Sequence, residues 1–258
     1  MIKGLYKILD KLIVMKKLFC VLCIAWAAII AARAQTEAYQ IVKEYDISVA
    51  GSVDLGLSVK WAACNLGAST PEQPGFRFKW GEIIPDRDTI PNKVSAWLTY
   101  KYYHFAGPFA KTDNNGLTKY NSCSEYGAVD NLSSLEESED AAFYITDSLR
   151  RTPTQAEVRE LIEKCNWELI EYKGTKGALI TGPSGAQIFL PAVEQVDTSL
   201  HAGAYMSADL ADDSRKSFGL TVRAIGNMIQ VKDSVQIDRC LTFHIRPVED
   251  FPPVDKYT

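Results

Sequence analysis

The sequence predicts an α+β domain in which two helices are combined with short antiparallel strands. Two neighbouring segments in the middle of the chain have helical patterns, and a series of short segments with strand periodicity follows them. Strand and helix patterns do not alternate as they do in parallel βαβ folds, so the sheets are expected to be antiparallel. The 258 residues are 47% apolar and 23% charged, a balance typical of a globular protein.

The first 34 residues have the form of an export signal. A basic start at Met15-Lys16-Lys17 precedes an apolar run over residues 18–32, and Ala32-Arg33-Ala34 has the small residues of a cleavage site. We expect Met15 to be the true start and cleavage to fall before Gln35. The alternative is a membrane anchor, but a run of about 15 residues is shorter than the ~20 that a membrane span needs.

The mature chain is expected to be exported by the Sec pathway and to be periplasmic, at the cell surface or secreted. Cys20 and Cys23 do not follow small residues, so a lipoprotein is not expected. No later segment is apolar enough to span a membrane. The signal segment contains six basic residues and one acidic residue, which leaves the remainder with a net charge of −9. So acidic a chain argues against nucleic acid as a partner.

We divide the mature chain into a lead-in at 35–52, a single domain at 53–250 and a tail at 251–258. The lead-in contains one candidate strand at 39–42. In residues 53–62, apolar side chains alternate with polar ones, which predicts a strand with one buried face, and residues 76–80 alternate in the same way.

An aromatic run at 95–109 leads into a segment rich in Gly, Asn, Ser and Asp at 106–130, which predicts a long ordered loop. Exposed Trp and Tyr side chains on a loop stack on sugars or form hot spots for proteins. The alternative is that these rings fill the core, because Trp and Tyr are highly buried on average.

Two helices are predicted. The first covers residues 138–148. The second begins after Thr154, where Glu157 completes a capping box, and Val158, Leu161 and Cys165 then lie on one apolar stripe. Strands are predicted after it at 167–172, 178–181, 187–190, 204–207, 217–224, 228–235 and 241–248.

The sequence contains no recognised catalytic motif and no spacing typical of a metal site. The acids at 136–140 and at 209–213 are candidates for calcium binding, or simply flank a helix and a strand. His244 lies among apolar residues and is expected to be a satisfied core or strand histidine. We expect neither a metal nor a cofactor.

The mature chain has four cysteines. In an exported protein four cysteines can form two disulfides in three different connectivities, and the alternative is that all four are buried free thiols.

From Val53 to Glu82 the chain reads VDLGLSVKWAACNLGASTPEQPGFRFKWGE. This segment resembles the opening of the Fibrobacter succinogenes major paralogous domain, a family common in exported proteins of Bacteroidetes, which typically reads VDLGLSVKWATCNVGA before a PE-G turn and FAWGE. Ordered matches continue along nearly the whole mature chain, at residues 118–121, 126–127, 129–131, 139–142, 153–161, 165–167, 189–192 and 245–248.

The resemblance implies a fold of the C-type-lectin-like and sulfatase-modifying-factor group, with two helices and twisted, irregular antiparallel sheets. Related domains of bacterial surface adhesins bind polysaccharide. The chain departs from the family at 149–154, 190–194 and 205–208, where it lacks a Trp or a Gly that the family usually has. Cys64 and Cys165 fall where the family often has cysteine, which implies the pairs Cys64–Cys165 and Cys123–Cys240.

We therefore expect an exported, non-enzymatic binding module for a polysaccharide or a cell-surface protein. The expected ligand contacts are Trp80, Glu82, Trp97, Tyr100 and Tyr102. One alternative is a structural or assembly component of the cell surface without a small ligand. Another is an enzyme like the formylglycine-generating relatives of this fold, against which the position of Cys165 on an apolar helix face argues.

Overall fold

The computed structural model describes residues 51–86, 93–105, 116–192, 194–195 and 200–252. Contacts divide the chain into residues 1–46 and 47–258, and all described residues belong to the second unit. The predicted export signal, the candidate strand at 39–42 and most of the tail at 251–258 lie outside the described residues. No helix in the described ranges is long and apolar enough to cross a membrane.

The described residues form a mixed α+β structure that is mostly antiparallel sheet, which confirms the predicted class. The largest sheet has four strands in the order β12-β11-β10-β9, which are Met228–Asp238, Lys216–Ile225, Leu200–Leu210 and Glu194–Gln195. A second sheet has the order β6-β7-β8, which are Asn166–Tyr172, Thr175–Thr181 and Gln187–Pro191.

Three smaller sheets complete the described sheets. Strand β2 (Lys60–Ala62) pairs with β1 (Ser52–Val53) on one side and with β14 (Val248–Glu249) on the other. Two further pairs are β3 with β13 and β4 with β5, which are Phe78–Lys79 with Thr242–Phe243 and Tyr103–His104 with Gly116–Leu117. Short ladders joined by irregular segments therefore make up much of the domain.

The second predicted helix is α3, Gln155–Lys164, and its capping box is present. The Thr154 hydroxyl accepts a hydrogen bond from the Glu157 backbone at 3.2 Å, and the Glu157 carboxylate accepts one from the Thr154 backbone at 2.8 Å. These bonds satisfy backbone N–H groups that the first turn leaves free. Val158 and Leu161 are buried, as the apolar stripe predicts.

The first predicted helix, at 138–148, is shorter than expected. A 3₁₀ turn at Glu137–Glu139 precedes α2, which is only Ala141–Ile145. Asp140 caps it by accepting from the backbone of Ala142 at 2.9 Å. A third helix, α1 (Lys93–Leu98), was not predicted because the aromatic run around it has no helical periodicity.

In residues 53–62 the predicted side chains are buried, but the residues do not form one continuous strand. Leu55, Leu57 and Val59 are all buried, as the alternation indicates. The chain bends between β1 and β2 because Gly56 has a φ of +78°, and its N–H donates to the Asp54 side chain at 2.8 Å. The predicted strand at 241–248 is likewise divided, into β13 and β14.

Two apolar clusters form the core. The first packs α3 against the β6–β8 sheet and the central strands, and contains Trp61, Leu161, Ile180, Leu190 and Leu220. The second is rich in aromatic side chains and includes Phe78, Trp80, Tyr100, Tyr102 and Tyr120. The second cluster contains three of the five expected ligand contacts.

Candidate functional site

Trp80, Tyr100 and Tyr102 lie inside the protein and not on a binding surface. Their exposed fractions are 0%, 2% and 4%. Their rings pack edge to face, with centroids 5.6 Å apart for Tyr100 and Tyr102, and Tyr120 lies 4.8 Å from Trp80. The alternative that aromatic residues fill the core therefore holds for these three, and their rings offer no face to a ligand.

The centre of this aromatic cluster is occupied by the guanidinium of Arg239, which is fully buried. Its central carbon is 5.4 Å from the Trp80 ring, 5.3 Å from Tyr100 and 5.8 Å from Tyr102, distances typical of cation–π contacts. The aromatic cage thus binds a cation of its own chain. Arg239 follows a predicted strand in a polar stretch, and nothing in the sequence pattern marks it as buried.

Hydrogen bonds replace the water that the Arg239 guanidinium loses on burial. It donates to the backbone carbonyls of Tyr120 at 2.7 Å, Ser214 at 2.9 Å and Lys119 at 2.7 Å, and to the Tyr100 hydroxyl at 2.9 Å. A buried charge is tolerated only with such partners. Arg239 therefore joins two separate chain segments, at 119–120 and at Ser214, to the aromatic cluster.

A polar network closes the same cluster toward solvent. The Glu139 carboxylate accepts hydrogen bonds from the Lys119 ammonium at 2.5 Å and from the Tyr120 hydroxyl. Burial alone would raise the pKa of Glu139, but hydrogen bonds from Lys119, Tyr102 and Tyr120 outweigh it and lower the pKa to about 2. Burial and the hydrogen bond to Glu139 raise the pKa of Tyr120 to about 12. These groups therefore hold each other in place at the edge of the cluster.

Glu82 belongs to the edge of this network. Its carboxylate is half-buried and accepts a hydrogen bond from the Lys101 backbone at 2.9 Å. Burial raises its pKa, and the Lys101 hydrogen bond opposes that change. Glu82 therefore fixes the position of the chain at Lys101.

Trp97 is the expected contact that reaches a concave surface. It lies on α1, is half-buried, and its ring is 5.3 Å from that of Tyr103. These two rings form part of a groove of about 410 Å³, which we call the aromatic groove. Its lining includes Trp97, Tyr103, Phe105, Leu117, Tyr126 and Arg215. Its volume falls within the range of small-ligand sites.

Apolar side chains around the aromatic groove are unusually exposed. The exposed fractions are 70% for Val94, 50% for Leu98 and 47% for Phe105. Isolated exposed apolar residues are common on proteins, but a group of them around one concavity is typical of an interaction site. Tyr103, Phe105 and Tyr126 were not among the expected contacts, although Tyr103 and Phe105 belong to the aromatic run at 95–109.

A fixed polar pair stands at one side of the groove. The Arg215 guanidinium lies 4.0 Å from the centroid of the Tyr126 ring, and Asp213 accepts two hydrogen bonds from it at 2.9 Å each. These hydrogen bonds lower the pKa of Asp213 and raise that of Arg215. Glu125 lines the groove with an exposed carboxylate. Charged planar groups of both signs therefore adjoin the aromatic rings.

The loop that carries Tyr126 is fixed by hydrogen bonds of the Asp130 and Asn121 side chains. The Asp130 carboxylate accepts from the backbone of Tyr120 at 2.7 Å and of Asn121 at 2.9 Å. The Asn121 amide donates to the carbonyls of Cys123 at 2.8 Å and Ala128 at 3.0 Å. The predicted loop at 106–130 is thus ordered where the structure describes it, and residues 106–115 lie outside the described residues.

Several of the acids considered for calcium binding form hydrogen bonds or ion pairs with protein groups. Glu136 and Glu139 pair with Lys119, and Asp209 accepts from the Gln155 backbone at 2.7 Å. Across the described ranges, no three His, Cys, Asp or Glu side chains are grouped to hold a metal ion. His244 is buried and its Nδ1 lies 3.1 Å from the Phe76 carbonyl oxygen, as expected of a satisfied core histidine.

The four described cysteines are free thiols, so neither Cys64–Cys165 nor Cys123–Cys240 is formed. Cys64 is buried near Arg246, whereas Cys165 ends α3 near Glu160, so the two thiols have different surroundings. Burial raises the pKa of Cys165 to about 11 and that of Cys240 to about 12. Such thiols are poor nucleophiles at neutral pH.

No protein-family model, curated protein or solved structure matches this chain.

Proposed function

We propose that the protein is an exported, non-enzymatic binding module of C-type-lectin-like fold whose aromatic groove binds a neutral glycan. The observation that carries the proposal is the groove itself, where half-buried Trp97, Tyr103 and Tyr126 rings adjoin exposed apolar side chains. Aromatic rings pack against the apolar faces of sugars, and a few fixed polar groups set orientation.

The polar groups of the groove favour a ligand rich in hydroxyls. Asp213 already neutralises Arg215, so the pair presents hydrogen-bonding groups without a net charge. The exposed carboxylate of Glu125 would repel an acidic sugar and accept bonds from neutral hydroxyls. The groove therefore suits neutral saccharides better than sulfated or uronic acid chains.

The fold and the place of action are part of the same proposal. The few short helices, the small antiparallel sheets and the irregular segments between them support a lectin-like arrangement. The basic start, apolar run and small residues before Gln35 support export. The raised pKa values of Cys165 and Cys240 argue against these two thiols as nucleophiles at neutral pH.

The test is binding of the purified protein to an immobilised panel of neutral and sulfated glycans. Measurements at low and high salt, with and without EDTA, separate stacking from charge attraction and from metal dependence. We expect hits on neutral glycans that resist salt and EDTA. Binding only to sulfated glycans, and only at low salt, would contradict the proposal.

Variants then test the groove. Phe105→Ala and Trp97→Ala should each weaken binding about tenfold, because each removes a ring from the groove. Tyr144→Ala is the matched control, because Tyr144 is an exposed aromatic residue on α2 that is not part of the groove lining. If folded Trp97 and Phe105 variants keep full affinity, the site lies elsewhere. If the whole panel is blank, a structural role at the cell surface becomes the better hypothesis.

A further inference from the structure

The Arg215 side chain lines the aromatic groove and is held in one orientation. Its guanidinium lies over the Tyr126 ring, with 4.0 Å between the central carbon and the ring centroid. Its Nε and Nη2 each donate to the Asp213 carboxylate at 2.9 Å, and its backbone N–H donates to the same carboxylate at 3.0 Å. Because a ring and a carboxylate already fix this side chain, it loses little conformational entropy when it binds a ligand.

The backbone around Arg215 is fixed as well. The Arg215 carbonyl accepts a hydrogen bond from the Arg239 backbone at 3.1 Å. The preceding residue, Ser214, is buried, and its hydroxyl accepts from the Ser122 backbone at 3.1 Å. Ser122 lies just before the 3₁₀ turn Ser124–Tyr126, which carries the ring under the guanidinium. The same contacts therefore hold the arginine and its ring together.

Asp213 occupies only one edge of the guanidinium. An arginine has five N–H groups in a planar fork, and Asp213 accepts from two of them, one on Nε and one on Nη2. Among the described residues, no other group accepts a hydrogen bond from this side chain, which is 48% exposed. The end of the guanidinium away from the Nε edge therefore keeps parallel N–H groups on Nη1 and Nη2.

Two parallel N–H groups fit two acceptor oxygens that lie side by side. A carboxylate presents such oxygens, and so do two adjacent hydroxyl groups of a sugar ring. Charge distinguishes these ligands. The hydrogen bonds to Asp213 and the charge of Asp238 raise the pKa of Arg215, and Glu125 adds an exposed carboxylate to the groove lining. An acidic ligand would therefore meet surplus negative charge, whereas a pair of hydroxyls would not.

We propose that Arg215 determines the specificity of the aromatic groove by donating to two adjacent hydroxyl oxygens of a sugar ring, with Asp213 as its positioning residue. This assignment rests on the proposed glycan function and names the feature of the sugar that is recognised. The rings of Trp97 and Phe105 pack against the apolar face of a sugar and distinguish its hydroxyls poorly. A site built to donate hydrogen bonds to hydroxyls rejects a sugar that lacks one of them.

Competition against immobilised neutral glycans tests the role of Arg215. The competitors are the methyl glycosides of glucose, mannose and galactose, and analogues that each lack one ring hydroxyl. The parent should bind about tenfold more weakly to analogues that lack either of two adjacent hydroxyls. Arg215→Lys should bind the intact sugars about tenfold more weakly and distinguish the analogues by less than about twofold, because an ammonium has no fork. Arg223→Lys, the same change at an exposed arginine outside the groove lining, should behave as the parent does.

Asp213→Asn tests the positioning role. Without the carboxylate, Arg215 keeps its full charge and is held less firmly. Methyl glucuronide, an acidic sugar, should therefore compete about tenfold better against this variant than against the parent. The variant should also distinguish the deoxy analogues less than the parent does. If Asp213 has only a structural role, all competitors will lose affinity by the same factor.

The outcomes separate this assignment from the proposed function. If the parent binds no neutral glycan, or if Trp97→Ala and Phe105→Ala keep full affinity, the proposed function fails and the assignment fails with it. If those two variants lose affinity but the parent does not distinguish the deoxy analogues, or Arg215→Lys distinguishes them as the parent does, only the assignment is overturned. Tighter binding of methyl glucuronide than of methyl glucoside by the parent would overturn it too.

Discussion

The pH dependence of stability between pH 7.5 and pH 5 is expected to depend strongly on one buried side chain, His244. Burial lowers the pKa of His244 to about 4, and the nearby charge of Arg77 acts in the same direction. The unfolded chain, with an ordinary value of 6.5, binds the proton first. Stability contributed by the neutral imidazole is therefore complete above about pH 6.5 and is lost as the pH falls toward 4.

The magnitude follows from the two pKa values. Between pH 7.5 and pH 5, protonation of the unfolded state alone should lower the free energy of unfolding by about 2 kcal/mol. His244→Asn removes this term while keeping a donor near the Phe76 carbonyl. The variant should be less stable than the parent at pH 7.5, and the difference between the two should shrink by about 2 kcal/mol at pH 5.

The assay is urea unfolding of parent and variant at several pH values in this range. Carboxylates, including Glu82 and Asp140 with their raised pKa values, contribute equally to both proteins and cancel in the difference. Ile188→Val, a change in the first core cluster, is the control for simple destabilisation and should lose the same amount at every pH. If the curves of parent and His244→Asn run parallel, His244 is not held neutral by burial and the reasoning is wrong.

Three further predictions concern the core, one turn and the thiols. Arg239→Lys should lower the free energy of unfolding by about 3 kcal/mol in urea titrations, because an ammonium cannot donate to all four acceptors of the guanidinium. Gly127→Ala should cost about 2 kcal/mol or more, because Gly127 has a φ of +133° and a Cβ would lie 2.2 Å from the Leu117 carbonyl oxygen. Gly174→Ala, with a φ of +81° but open space around it, is its control and should cost only about 1 kcal/mol. Thiol titration with a chromogenic disulfide should find four reactive groups in unfolded residues 35–258. In the folded protein, the half-buried Cys123 and Cys165 should react faster than the buried Cys64 and Cys240.

Each of these has an outcome that would contradict it. An Arg239→Lys variant as stable as the parent would mean that the buried cation does not hold the loops together. Equal losses at Gly127 and Gly174 would show that the close approach to Leu117 is unimportant. Absence of free thiols in the unfolded chain would restore the disulfide pairs that the family resemblance implies.

Patterns that depend on near neighbours in the chain were predicted well. The capping box at Thr154 and the apolar stripe of α3 are present, because both arise within a few turns of one helix. The strands after α3 were located because turn residues mark their ends, although β10 and β12 are longer than predicted.

Features that depend on distant contacts were not predicted. Leu55, Leu57 and Val59 show the alternation of a strand, but Gly56 bends the chain and the ladder forms only at the ends. Periodicity reports which face is buried and does not report whether a partner strand is present.

In the candidate site, too, local patterns were predictable and distant contacts were not. The sequence determined that aromatic residues are concentrated between 95 and 109, and that the cysteines and acids lack the spacing of a metal site. Only the tertiary structure decided which rings are covered, because Arg239, more than a hundred residues away along the chain, enters the cluster and binds Tyr100. Trp97, Tyr103 and Phe105 remain at the surface and meet Tyr126 and Arg215 across the groove. Burial of an aromatic ring depends on what packs against it, and the packing partner lies outside any local pattern in the sequence.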